Sequence, residues 1–187
     1  MDDKNLKLEI EQLKNDIMSD DLKNFEAVQT RLIEIGGKEV IDFLKSLLRD
    51  DNSKIRNRAA LVLAEIKDNS AVEPLLNAIF KKENHDYNGT LVYALEALDC
   101  SQKLKEVFKI LFFESYESKL HAYNILSEQE FEFTKNDLIE IQNMWSEYKN
   151  NPDKHQPYDD EETKEMIQDM VDGFMWYLDP RNKTEAK

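Results

Sequence analysis

The chain has 187 residues, 41% hydrophobic and 34% charged, with 4 Gly and 4 Pro, the composition of a helix-rich soluble protein of one-domain length. Lys and Arg number 25 against 39 Asp and Glu, so the net charge is −14, a field that repels nucleic-acid phosphate and anionic lipid and attracts basic proteins. A single cysteine, Cys100, excludes an internal disulfide framework, and no apolar run approaches the roughly 20 residues of a membrane span. The N-terminal stretch MDDKNLKLEIEQLK has neither a basic start nor an apolar core, so no signal peptide is expected and a reducing cytoplasm is the expected compartment.

Leu6, Ile10, Leu13 and Ile17 recur at helical spacing and predict an amphipathic helix ending before Ser19-Asp20-Asp21. Ser19 or Asp20 is suited to cap the next helix. That helix has Phe25, Val28, Leu32 and Ile35 as its apolar face and is ended by Gly36-Gly37. A third helix follows from about Lys38 to Arg49. After a turn at Asp50-Asp51-Asn52-Ser53, a fourth runs from Lys54 to Lys67. Its small residues Ala59, Ala60 and Ala64 allow close helix approach. Ser70-Ala71-Val72-Glu73 reads as a capping box, with Pro74 in the first turn. Residues 81–88 read as the longest internal loop of the repeat region, closing in an Asn88-Gly89 turn signal. Helices are predicted over Thr90–Leu98, Leu104–Phe113 and about Glu117–Ser127, with a break at Asp99-Cys100-Ser101. Thr134 and Asp137 resemble another cap, ahead of a helix marked by Leu138, Ile141, Met144, Trp145 and Tyr148. Residues 151–157 read as a linker. Asp159 is expected to open the final helix, with Asp159, Asp160, Glu161 and Glu162 at its positive end. Ile167, Val171, Phe174, Met175 and Leu178 form its apolar side, and Asp179-Pro180 stops it.

A fixed period runs through the middle of the chain. Phe43, Leu44, Leu47 and Leu48 recur 32 residues on as Leu75, Leu76, Ile79 and Phe80, and 32 further as Val107, Phe108, Leu111 and Phe112. Leu63 and Ile66 recur as Leu95 and Leu98, and Leu126 follows Leu95 after 31. Self-similarity at a few tens of residues marks a solenoid of stacked helical hairpins. The expected organisation is one domain over 1–187. It comprises capping helices in 1–36, three hairpins in 37–128, capping helices in 129–179 and a frayed tail in 180–187.

Asp51, Ile55, Arg56, Ala59, Ala60, Leu63, Ile66, Asp68, Ala71, Val72, Pro74 and Leu75 resemble a HEAT-like repeat, most closely the short kind found in phycobilin-lyase HEAT-like domains. Later copies depart from the motif. Asn88 and Lys119 stand where Arg56 stood, and Leu91-Val92 replace Ala59-Ala60. The resemblance implies an all-α, right-handed α-solenoid of stacked antiparallel helix pairs that, as is usual in the family, binds another macromolecule, and it does not imply a reaction. It also implies an inter-repeat role for Arg56, bridging to a turn aspartate such as Asp51 of a neighbouring unit.

No catalytic, metal-binding or cofactor-binding residue is assigned. His85, His121 and His155 fall in three different elements, and neither HExxH, CxxC, a glycine-rich phosphate loop nor GxSxG occurs. Cys100 reads as a small buried hydrophobe. Arg49, Lys54, Arg56 and Arg58 are the one compact basic patch, read as structural rather than phosphate-binding because a charge in a stack is retained when paired. Glu83, Asp86, Asp99 and Glu128 read as solvated surface. Trp145, Tyr148, Trp176 and Tyr177 read as core and cap. In a HEAT-like stack the second helices line the concave face. The expected partner-binding strip is Arg58, Leu61 and Glu65, then Thr90, Tyr93 and Ala97, then His121, Asn124 and Glu128.

The expected function is a non-catalytic module presenting an acidic concave surface to a basic protein partner. Its sharpest form is an immunity-type inhibitor of a basic bacterial toxin domain. The chain is expected to be monomeric, with no nucleic acid or membrane as partner. A lyase-like chromophore or small-molecule handler, a scaffold or assembly factor, and a HEAT-like DNA glycosylase follow in that order.

Overall fold

A computed structural model describes residues 3–19, 23–152 and 159–179. The cap candidate Asp20, His155, most of the 151–157 linker, and the tail 180–187 lie outside the described residues. Every element among those described is a helix, and the chain is all-α. The α-helices are α1 (Asp3–Met18), α2 (Phe25–Ile35), α3 (Gly37–Leu47), α4 (Ser53–Ile66), α5 (Val72–Ile79), α6 (Gly89–Glu96), α7 (Leu104–Phe113), α8 (Tyr116–Glu128), α9 (Lys135–Asn150) and α10 (Glu161–Met175). Short 3₁₀ turns cover Asn69–Ala71, Lys82–Tyr87 and Trp176–Leu178. Close contacts divide the chain into two compact units, Met1–Leu98 and Asp99–Lys187.

In the first unit α4 is the central element, packing against α1, α2, α3 and α6, while α5 pairs with α6. Ala59 and Ala60 are completely buried, beside Val62 and Leu63. Methyl side chains let neighbouring backbones come close, and burial on several faces explains the continuous apolar run Ala59–Ala64. Asn52 caps α4, its side-chain oxygen accepting from the Lys54 N–H, and Lys67 ends it in a left-handed conformation at φ 57°. Gly36 and Gly37 have φ of 54° and 76°, which makes the sharp junction between α2 and α3 possible.

Three local expectations in this unit are corrected. Asn24, not Ser19, caps α2, its side chain accepting from the Ala27 N–H. Asp68 rather than Ser70 caps the turn before α5, because its carboxylate accepts from the Ser70 N–H and starts a 3₁₀ turn that takes up Ser70 and Ala71. The Ser70 hydroxyl instead accepts from Lys45 Nζ on α3. The expected loop 81–88 is largely 3₁₀ helix. Buried Asn84 and Asn88 hold it down, their amides donating to the carbonyls of Ala78 and Ile79 at 2.8 and 3.2 Å. These bonds occupy carbonyls that the end of α5 leaves open.

In the second unit α7 packs against both α8 and α9, and α10 against α8 and α9, so α9 and α10 add a further stacked pair to α7 and α8. Phe108, Leu111 and Phe112 are completely buried at this centre. Phe112 stacks on Trp145 at 5.7 Å between ring centroids and lies 5.8 Å from Tyr148. Thr134 and Asp137 form a capping box for α9. The Thr134 side chain accepts from the Asp137 N–H, and the Asp137 carboxylate accepts from the Thr134 N–H at 2.8 Å. Asp160 caps α10. Asp159, expected at that helix start, turns away into a buried ion pair described below.

Candidate functional site

Arg56 is buried at 3% exposure, and its partners differ from those expected. Its Nη1 donates to the carbonyl oxygens of Asp50 and Asp51 at 2.8 and 3.0 Å, so it ties down its own turn rather than reaching a carboxylate of a neighbouring unit. The Asp51 side chain is fully exposed, 3.6 Å from Lys81. Burial depresses the Arg56 pKa, with Asp50 and Asp51 opposing that shift.

Of the six strip residues in the first unit, Arg58 leaves the strip. Its Nη1 donates to the carbonyls of Ile17 and Ser19 at 3.0 and 2.7 Å, occupying carbonyls left open at the end of α1. Leu61 and Thr90 are half-buried, and Glu65, Tyr93 and Ala97 are exposed. Tyr93 is the notable member. On α6 its neighbours Leu91, Val92, Ala94 and Leu95 are all completely buried, while its own ring keeps 44% exposure. In the second unit α8 carries His121 half-buried, with Asn124 and Glu128 exposed.

Position 119, the copy of Arg56, behaves unlike Arg56. Lys119 Nζ lies 2.5 Å from Asp159 Oδ2, and the Tyr148 hydroxyl donates to the same oxygen at 2.7 Å. The Lys119 and Asp159 side chains are 3% and 5% exposed. This clasp ties Asp159, next to the cap of α10, to α8 and α9. Burial depresses the Lys119 pKa, with Asp159 opposing, and burial together with Asp159 raises that of Tyr148.

The second unit also contains a groove that the sequence reading did not assemble. Its cavity is about 630 Å³. One wall is the segment 129–133 between α8 and α9, which has no helical structure. Three bonds hold that segment. Gln129 Oε1 accepts from the Cys100 N–H at 2.9 Å, the Glu132 N–H donates to the Ser101 carbonyl at 3.0 Å, and Gln102 Nε2 donates to the Glu132 carboxylate at 2.6 Å. With Glu132 bonded to the 101–102 turn, Phe131 and Phe133 both line the groove. There their rings meet Phe174 of α10 edge to face at 6.2 and 5.9 Å, and Phe133 meets Tyr177 at 5.4 Å. Glu130 and Asp169 add carboxylates to the lining, which contains no Lys or Arg.

Two features in or beside the groove do not follow from packing. Trp176 and Tyr177, expected as core and cap, are 45% and 55% exposed, whereas Trp145 and Tyr148 are buried. Gly173 stands inside α10, where glycine costs roughly 1 kcal/mol against alanine, yet a Cβ there would meet nothing within 4 Å. A side chain at this position would project into open space beside the groove. Phe131-Glu132-Phe133, two aromatics on one side of an extended stretch, was the signal available in the sequence.

Several of the described titratable residues are held in structural contacts, Lys119 with Asp159 and Lys105 with Asp137 and Glu140 among them. Among the described residues no group of three or more His, Cys, Asp and Glu is placed to hold a metal ion. Cys100 is buried, and desolvation pushes its thiol up to about 12, far from a reactive thiolate. No described helix is long and apolar enough to cross a membrane.

Compared with known families, residues 19–96 match HEAT repeats. That segment covers α2 to α6, including the central α4. The later helices lie outside the match. No curated protein matches the chain.

Proposed function

We propose, from the premise that residues 19–96 carry HEAT repeats, that this protein is a non-catalytic binding module that receives a basic protein partner on acidic helical surfaces. The observation that carries the reading is Tyr93. Tyrosine left 44% exposed among buried neighbours on its helix is the residue type that anchors protein interfaces. Ala97 and Glu65 are exposed as well, and with Tyr93 they form the proposed strip. The charge of the chain supplies the polarity of the partner, since a field of −14 accelerates association with a cationic surface. An immunity-type inhibitor covering a basic toxin domain is the sharpest form of this proposal, and the protein acts as a monomer in it.

The test is affinity capture with the full chain, followed by titration of the purified partner by calorimetry. The expected result is a stoichiometric basic protein whose affinity falls with added salt. Tyr93→Ala is expected to weaken it on the order of thirtyfold, a hot-spot cost of about 2 kcal/mol. Charge reversal at Glu65 or at Glu128, each made separately, slows association. Binding indifferent to salt, to Tyr93→Ala and to both reversals refutes the reading.

A further inference from the structure

We propose that the groove of the second unit is a docking site for a basic peptide segment of the partner, taking a lysine or arginine side chain flanked by apolar residues. The inference rests on the protein-binding reading and deepens it by naming a second contact and its chemistry.

Four observations converge. The first is charge. The second unit holds 20 Asp and Glu against 11 Lys and Arg, a net −9 of the chain's −14, and the groove lining contains carboxylates without a cation. The second is the ring arrangement. Phe131 and Phe133 meet Phe174 at 6.2 and 5.9 Å and Phe133 meets Tyr177 at 5.4 Å, giving aromatic surface against which an ammonium or guanidinium is attracted and an aliphatic stem is buried. A cavity of about 630 Å³ admits one long side chain with its apolar neighbours.

The third is preorganisation. The wall segment 129–133 is fixed by bonds to Cys100, Ser101 and Gln102, so docking does not have to order it. The fourth is Gly173. The helix accepts a residue unfavourable to it where there is room for a larger one, and what that choice preserves is open space at the groove. Charge complementarity selects a cationic occupant. An acidic or neutral apolar segment would leave Glu130 and Asp169 beside it without a counter-charge.

The experiment uses the full chain, isotopically labelled, titrated with a capped pentapeptide Phe-Lys-Leu-Arg-Phe and with its Phe-Glu-Leu-Glu-Phe counterpart, and followed by amide chemical shifts. The expected result is a set of shifts centred on Phe131, Phe133, Gly173 and Tyr177 with the cationic peptide alone, weakening as salt is added. Gly173→Met fills the groove, and the double change Glu130→Lys with Asp169→Lys inverts its charge. Each is expected to lower the affinity at least about tenfold. Gly173→Met is expected to melt no lower than the parent chain, which separates a filled groove from an unfolded one.

Equal binding of both peptides, shifts centred elsewhere, or full affinity in Gly173→Met overturns the proposal. The two readings fail separately. Capture of the basic protein partner at full affinity by Gly173→Met, with no peptide shifts, sinks the groove alone. Peptide binding at the groove with no protein partner captured sinks the interaction-module reading and leaves the groove a peptide site.

Discussion

Asp159→Ala tests whether a single buried oxygen organises the end of the second unit. Asp159 Oδ2 accepts from Lys119 Nζ at 2.5 Å and from the Tyr148 hydroxyl at 2.7 Å, and both charged side chains are nearly inaccessible to water. Tyr148 in turn stacks on Trp145 at 5.3 Å, and Lys119 Nζ lies 5.4 Å from the Tyr148 ring centroid. Truncating Asp159 takes away the acceptor that a buried ammonium and a buried phenol share. Removing one partner of such a buried pair costs about 3–5 kcal/mol, a large share of the roughly 5–15 kcal/mol that holds a domain folded. Urea unfolding followed by tryptophan fluorescence reads the change, because Trp145 belongs to the same stack. Lys119→Met is also expected to destabilise, since it leaves the buried Asp159 carboxylate without its counter-charge and with the Tyr148 hydroxyl as its remaining donor in the clasp. The double variant Lys119→Met with Asp159→Leu is expected to recover much of the loss, because an apolar replacement of both charges is often neutral. A cost below about 1 kcal/mol for Asp159→Ala, or strict additivity in the double variant, would refute the clasp.

The other predictions address the first unit, the thiol, the groove helix and acid. Arg56→Met is expected to cost about 1–3 kcal/mol in urea unfolding, since the Asp50 and Asp51 carbonyls lose their donor. Cys100, its thiol raised to about 12 by burial, is expected to resist iodoacetamide at pH 8 in the native chain and to react fully in denaturant. Gly173→Ala is expected to raise stability by about 0.5–1 kcal/mol, since the added methyl has room and favours the helix. Asp68, Asp99, Asp137 and Asp160 have carboxyl groups held below the usual range by hydrogen bonds from turn and cap residues. Folded values below unfolded ones mean a contribution that is complete above the ordinary Asp pKa of about 3.9 and lost as pH falls through each lowered value. Stability measured by urea titration should therefore hold steady above about pH 5 and drop below about pH 4, and Asp137→Asn should flatten that drop.

Helices and their faces were legible in this chain because they are decided within a few residues. The Leu104–Phe113 helix was read at its observed bounds, the Thr134–Asp137 cap formed as its spacing allowed, and the 32-residue register placed paired helices where pairs are found. Errors at this level were local competitions. Asp68 took the capping role read for Ser70, two residues on, and the amides of Asn84 and Asn88 turned a loop into 3₁₀ helix. Both outcomes depend on which of several nearby polar groups first reaches an open backbone group.

The remaining features join residues far apart in the chain. Arg58 reaches Ile17 across 41 positions and Lys119 reaches Asp159 across 40, and neither pairing has a periodicity to betray it. The same holds for the groove, which gathers Tyr123, Phe131, Phe133, Phe174 and Tyr177 from α8, an extended segment, α10 and the turn after it. The order of residues by itself determined that this chain is helical, repetitive and acidic, since propensity, period and charge are properties of short stretches and of sums. Only the tertiary structure decided which charges are buried as pairs and which aromatics face water, because burial is a property of what packs alongside, and distant segments supply it.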